Sequence, residues 1–403
     1  MRARAESQVR GLAKWLVVVP VTLVALVIAH DPDRWLPQHF RGTGTIVLQP
    51  VERIAGSDEP PAPSVAPELE GLDSKSLRDA AAYAEQQDST ALIVSRHEHI
   101  VFEKYWHGTD FNTVEDGQSL ARIVVALAVG VALSHRQIHW PGEPIGYFIS
   151  SLGNDPRASI TVDQLLRMSS GLHASNTDAV PGMDLIGADL AEPLARKPGT
   201  AWEEKSADPQ LAAFVIERAT RMRYAEFVSE NLWKPIGAGD AWVWLDREGG
   251  KVHAECCMLA RQGDWMRVAQ LLIHDGNYRG DEVIHPGWVP HMLIPAQANP
   301  GYGAYVSLAK AQTTGAGSFA ADDLFVVAGN GGNRLWLVPS MQLAILRMAP
   351  AEAARRAGSP PGTSLRLQWD DTRIPNLVIR GARDYKPPQA RPGADLSTIV
   401  PGH

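Results

Sequence analysis

A chain of 403 residues with 45% hydrophobic and 21% charged side chains has ordinary globular composition, long enough for a large core or for two lobes sharing one. The formal net charge is -7 and no long basic block occurs, which argues against nucleic acid as a partner. The two cysteines are neighbours, Cys256 and Cys257. Adjacent cysteines rarely bridge, because the ring that results is strained, so both are expected as small apolar residues of a core strand. No Cys/His spacing suggests zinc, and neither a metal nor another cofactor is expected.

In chain order, Arg2, Arg4, Arg10 and Lys14 precede an uncharged, mostly apolar run from Trp15 to Ala29. A basic flank before an apolar run keeps the N-terminus cytoplasmic and sends the rest out of the cell or into the periplasm. No small-x-small cleavage site follows, so residues 1–30 read as an uncleaved, single-pass signal anchor in the membrane rather than as a cleaved signal peptide. Residues 31–75, rich in proline and acids, read as a linker, a folded domain is expected over residues 76–385, and residues 386–403 read as a disordered tail.

Within the domain, Ala91-Leu-Ile-Val-Ser95 and Ile100-Val-Phe-Glu-Lys-Tyr105 flank a polar tip, predicting a hairpin. His97-Glu98-His99 falls on that tip, which disfavours a metal site there. Ser119 to Leu133 is nearly all apolar and predicts a buried helix. Thr161 caps a helix, and residues 207–220, 224–233 and 263–275 also have helical patterns, whereas Lys251 to Leu259 is expected as a strand. Three strands at hairpin spacing follow, at Leu324, Arg334 and Leu343, and Ile374 to Arg380 forms an amphipathic segment. Strands at both ends with helices between them predict an α+β fold, a mostly antiparallel sheet flanked by helices, with a helical lobe.

Several motifs stand in a recognisable order. Ser119-Leu-Ala-Arg122 opens the buried helix that carries Gly130. Next come Ser159-Ile-Thr-Val-Asp-Gln-Leu-Leu-Arg-Met-Ser-Ser-Gly-Leu172 and Pro198-Gly-Thr-Ala-Trp-Glu-Glu-Lys-Ser206. Lys234-Pro-Ile-Gly237, Trp242-Val-Trp-Leu-Asp246 and Gly329-Asn-Gly-Gly-Asn333 follow. This order resembles the β-lactamase-related serine hydrolases of the penicillin-recognising superfamily, and looks closest to their 6-aminohexanoate-dimer hydrolase and esterase branch. The resemblance spans roughly residues 75 to 385 and implies a β-lactamase/transpeptidase-like fold.

The resemblance also implies site residues. The family's Ser-x-x-Lys motif sets a nucleophile and an amine on one face at a helix start, and a tyrosine from the second motif helps move the proton. Ser119 falls at the nucleophile position; the alternative is a serine that merely caps the helix. Arg122 falls where the family has lysine, and Glu204 where it has tyrosine. An arginine stays protonated and cannot serve as the base. The two are expected to pair across the site, which locks it rather than activating it. Glu204 as an alternative base stays open, as does a slip in the matching that puts the tyrosine elsewhere. Gly329, Asn330, Gly331, Gly332 and Asn333 are expected to line the site as a glycine-rich, substrate-binding turn.

Two functions remain open at this point. One is acyl-Ser119 hydrolysis of a small amide or ester. The other, favoured by the changes at 122 and 204, is a catalytically silent binding or scaffolding module at the membrane surface.

Overall fold

The computed structural model describes residues 50–173, 184–309, 318–329, 332–350 and 369–386. The anchor, the first part of the linker, the tail from 387, and Asn330 and Gly331 lie outside these residues. Among the described residues, no helix is long and apolar enough to cross a membrane.

The hairpin strands expected near the domain start, β2 (Ala91–Arg96) and β3 (His99–Tyr105), join four late strands in one sheet. Before these come β1 (Val51–Ile54) and α1 (Ser74–Gln86). Further along come β4 (Val114–Asp116), α2 (Ala121–Ser134), α3 (Val162–Leu166), α4 (Leu185–Ala191), α5 (Ala207–Thr220) and α6 (Tyr224–Val228). The third quarter holds β5 (Ala241–Trp244), β6 (Met258–Arg261), α7 (Gln262–Ile273), a short hairpin of β7 (Asn277–Tyr278) and β8 (Asp281–Glu282), and α8 (Trp288–Met292). The described chain closes with β9 (Ser307–Leu308), β10 (Phe325–Ala328), β11 (Arg334–Val338), β12 (Leu343–Met348) and α9 (Arg373–Arg380).

The large sheet is antiparallel, in the order β3-β2-β12-β11-β10-β9. Period-2 alternation sends its side chains to two cores. Ile93, Leu335, Leu337 and Leu346 face the core shared with α2, α5 and α7. Leu92, Val94, Trp336 and Ile345 face the other, closed by Leu77 and Ala80 of α1 and by Ile374, Val378 and Ile379 of α9. The amphipathic segment near the end is therefore the lid of the second core. Helix α2 is buried from Ala121 through Ala132, so its near-continuous apolar run is what full burial requires.

Three expectations need correction. The linker does not run freely to residue 75. From residue 50 it lies along the domain, where β1 pairs antiparallel with β5 at one edge of a second, four-stranded sheet, β1-β5-β6-β4. Ile54 and Leu72 are buried, and Arg267 donates to the carbonyls of Glu59 and Pro60. Proline density marked extended chain correctly, but a strand that pairs at an edge is also extended chain. The expected strand from Lys251 breaks as well. Val252 makes an isolated bridge to Leu245, a turn follows, and β6 begins at Met258. The cysteines are the third correction: Cys256 and Cys257, expected unbridged in a core strand, lie just before β6, with their sulfurs bonded to one another.

Candidate active site

Ser119 sits in a tight turn, Gln118–Leu120, that feeds directly into α2. The turn is held from both sides. The Gly117 N–H donates to the Met258 carbonyl on β6 (2.9 Å), and the Gln118 N–H donates to Asp116 Oδ1 (2.8 Å). Gln118 adopts a positive φ of 52°, a conformation that a non-glycine residue holds only when its surroundings enforce it. The serine hydroxyl makes no capping bond, so the reading of Ser119 as a plain helix cap is not what the structure displays.

At the second position of α2, one turn beyond Ser119, the Arg122 guanidinium reaches two groups. Its Nε donates to the Glu255 carbonyl (3.2 Å) and its Nη1 to Glu204 Oε1 (2.5 Å). The arginine side chain is 9% exposed and the glutamate side chain 50% exposed, so the pair runs from the interior to the pocket mouth. Burial alone would lower the Arg122 pKa, but the Glu204 carboxylate together with Tyr302 and Tyr305 holds the guanidinium above its ordinary range. Arg122 is thus a fixed cation and offers no lone pair to a serine proton.

These three residues border one pocket of about 300 Å³, together with Trp202, Tyr302 and Ala328 at the end of β10. Trp202 stands two residues before Glu204 and meets the Tyr302 ring edge-on at 5.2 Å. Tyr305 also lines the pocket, with a φ of 55° and its hydroxyl buried without a partner. Burial raises the pKa of both tyrosines, so each is a hydroxyl donor and a poor base. Sequence reading passed over Tyr302 and Tyr305. The available signal was the Gly301-Tyr-Gly-Ala-Tyr305 cluster, an aromatic and glycine pattern that fits neither a helix nor a strand.

The glycine-rich turn behaves differently from its expected role. Asn333 is fully buried and does not border the pocket. Its Nδ2 donates to the carbonyls of Asp116 (3.3 Å) and Gly117 (3.2 Å), and its Oδ1 accepts from the Ala349 N–H (2.8 Å). It straps the Ser119 turn to the large sheet instead of touching a substrate. Gly332, at φ 103°, gives its carbonyl to Arg347 Nη1 (2.7 Å), and a Cβ there would stand 2.2 Å from that nitrogen. Gly329 closes the turn by donating to the Asn333 carbonyl (2.8 Å) and packs near the Gly117 carbonyl. Asn330 and Gly331 lie outside the described residues.

Two buried carboxyls stand near these elements. Burial pushes Asp116 up to about 6, and it pushes Asp208, at the start of α5, up to about 7.

The Beta-lactamase family model matches residues 78–352, well over half of the sequence. The chain belongs to the Beta-lactamase family. Among curated members, it is 24% identical over 238 residues to the 6-aminohexanoate-dimer hydrolase of Paenarthrobacter ureafaciens, covering 54% of this chain and 60% of that protein. It thus spans less than two thirds of that relative's length. Among solved structures, it is similar to a Bacillus anthracis protein assigned provisionally as a 6-aminohexanoate-dimer hydrolase, with a TM-score of 0.63 and 18% identity over 79% of this chain and 90% of that one. It is also similar to a penicillin-binding protein homologue from Caulobacter crescentus, with a TM-score of 0.59 and 13% identity over 77% and 99%. These likenesses establish the β-lactamase/transpeptidase-like α+β fold.

Proposed function

We propose that this Beta-lactamase family domain is tethered on the outer side of a membrane by its N-terminal apolar segment, and that it presents a small-molecule pocket whose acyl-serine chemistry is suppressed. The Arg122–Glu204 ion pair on the wall of the Ser119 pocket carries the reading. A serine attacks an amide or ester only as its proton leaves, and general-base help is worth roughly 10²- to 10⁴-fold. Arg122 cannot take the proton. Glu204 already holds the guanidinium, and Tyr302 and Tyr305 keep their own protons. Among the described residues, no side chain accepts a hydrogen bond from the Ser119 hydroxyl. The protein is then a binding or scaffolding module of the cell envelope.

A second reading keeps the activity: hydrolysis of a small amide or ester through acyl-Ser119. Its support is the family and the opening of Ser119 into a pocket fit for a small molecule. A fluorophosphonate or penicillin probe separates the two. The silent-module reading expects no label on Ser119 and no turnover of simple esters, linear amides or β-lactams. Arg122→Lys alone leaves an amine kept charged by Glu204, and Glu204→Tyr alone strands the Arg122 charge, so neither single change restores activity. The double variant exceeds both, as expected of groups that act as a unit. Robust hydrolysis by the unmodified protein, abolished in Ser119→Ala, sinks the proposal. The tether is tested separately: a reporter fused after residue 60 should be active outside the cytoplasm, and activity confined to the cytoplasm refutes the topology.

A further inference from the structure

The turn that holds Arg122 from behind also gathers three ligand types that the pocket does not use. His253, Glu255 and Cys256 place a ring nitrogen, a carboxylate oxygen and a sulfur all within 4.8 Å of one another. His253 Nδ1 lies 3.2 Å from Glu255 Oε1, and Cys256 Sγ lies 3.3 Å from the same oxygen. Ligand atoms around a tetrahedral zinc ion stand roughly 3.3–3.6 Å apart, given metal bonds of about 2.0–2.3 Å. The cluster is thus already close to the size of a coordination sphere.

Three further observations point to a ligand. His253 and Glu255 are almost fully buried, and Glu255 Oε2 has no hydrogen-bond partner, an arrangement that costs free energy unless something occupies it. The His253 ring stacks on Trp244, with centroids 4.0 Å apart and an interplanar angle of 11°, which fixes the plane of its nitrogens. The backbone of the turn is pinned as well, since the Ala254 N–H donates to Gln210 Oε1 (3.0 Å) and the His253 N–H to the Trp244 carbonyl (2.8 Å). Such a frame orients ligands before a metal arrives.

In the structure, Cys256 is bonded to Cys257, and a sulfur in a disulfide is not available as a thiolate. We propose that this turn is a redox-gated site for a thiophilic divalent cation such as Zn²⁺, closed while Cys256 and Cys257 are joined and opened when they are reduced. A dithiol or phosphine reductant supplies two electrons to break the S–S bond, and the sulfurs take up two protons as thiols while the reductant is oxidised. The cation then binds Cys256 as its thiolate with release of that proton, alongside neutral His253 and the Glu255 carboxylate. A thiolate and an imidazole in one set select zinc over calcium or magnesium.

Zinc titration against a chromophoric chelator, with Co²⁺ absorption as a second readout, tests the site on the full chain. The oxidised protein should bind none, and the reduced protein a single equivalent. Cys257→Ser frees Cys256 from its partner and should bind without any reductant, whereas Cys256→Ser should bind under neither condition. His253→Ala should weaken binding by at least about tenfold. Thermal melts check that each variant is folded. If Cys256→Ser does not fold, the isosteric Glu255→Gln carries the test and must lose affinity. Equal binding by the oxidised and reduced protein, or binding retained in folded Cys256→Ser or Glu255→Gln, overturns the proposal.

Discussion

Asp208 is enclosed at the start of α5, where Oδ2 accepts from the Ser170 N–H (3.4 Å) and Oδ1 has no partner. Burial lifts its pKa from 3.8 to about 7, although Ser170 and the charge of Lys205 oppose the rise. A carboxyl raised in the folded state keeps a proton that the unfolded chain has already lost, so stability falls as pH rises between those two values and levels off above them. Asp208→Asn removes the carboxyl and keeps the acceptor for Ser170. The variant should melt higher than the parent above pH 7, with the gain vanishing as pH falls towards 4. An unchanged difference in melting temperature across that range contradicts the account. Residues of this kind are invisible in a sequence, because nothing in Ser-Ala-Asp-Pro says how deeply the carboxyl is enclosed. Ser119, Arg122 and Glu204 were legible for another reason: they fall at positions of ordered motifs shared with the resembled family, and the three-residue helical spacing sets Ser119 and Arg122 on one face.

Helix α2 illustrates the element scale. Its apolar run announced burial, and Gly130 within it has a packing reason that the sequence could only mark. A Cβ at Gly130 would stand 2.3 Å from Trp288 Cδ1 and 2.4 Å from its Nε1. That indole nitrogen donates to the Ala126 carbonyl one turn earlier (3.0 Å), so α8 docks across the helix at the glycine. Gly130→Ala would gain helix propensity of about 1 kcal/mol but must push the indole away and break this bond. Overpacking costs about 1–3 kcal/mol, so a net loss is expected. Denaturant titration reads it, and a variant more stable than the parent sinks the packing argument. Short strands were harder to see. β1 and β5 have four residues each and β4 three, too few for periodicity to separate them from loops.

At the scale of the molecule, the domain begins before residue 76. Removing residues 50–75 takes away β1, buried Leu72 and the side chain of Asp73, which accepts from the Ser76 N–H to cap α1. It also strips the Glu59 and Pro60 carbonyls from Arg267, a nearly buried guanidinium that would keep its charge with fewer partners. A chain starting at residue 50 should therefore melt with the cooperativity of the full protein. One starting at residue 76 should be destabilised by several kcal/mol, in line with a buried hydrogen-bond network broken together with lost core contacts. Equal melting temperatures for the two would show that the segment only rests on the surface.

The sequence by itself determined what repeats locally or is carried by ordered motifs. The hairpin at residues 91–105, the late strands and the buried helix follow from period and spacing, and the pairing of residues 122 and 204 from the family resemblance that the ordered motifs carry. Tertiary structure alone decided what depends on which distant segments meet. It turned Asn333 from an expected substrate contact into a strap on the Ser119 turn, and brought Tyr302 and Tyr305 into the pocket. It also carried residues 50–54 onto the edge of a second sheet and folded His253, Glu255 and Cys256 into one buried cluster. The physical reason is common to all four. Periodicity records which face of an element is apolar, whereas burial of a polar group is compensated only by partners far away in the chain, and those partners leave no local mark.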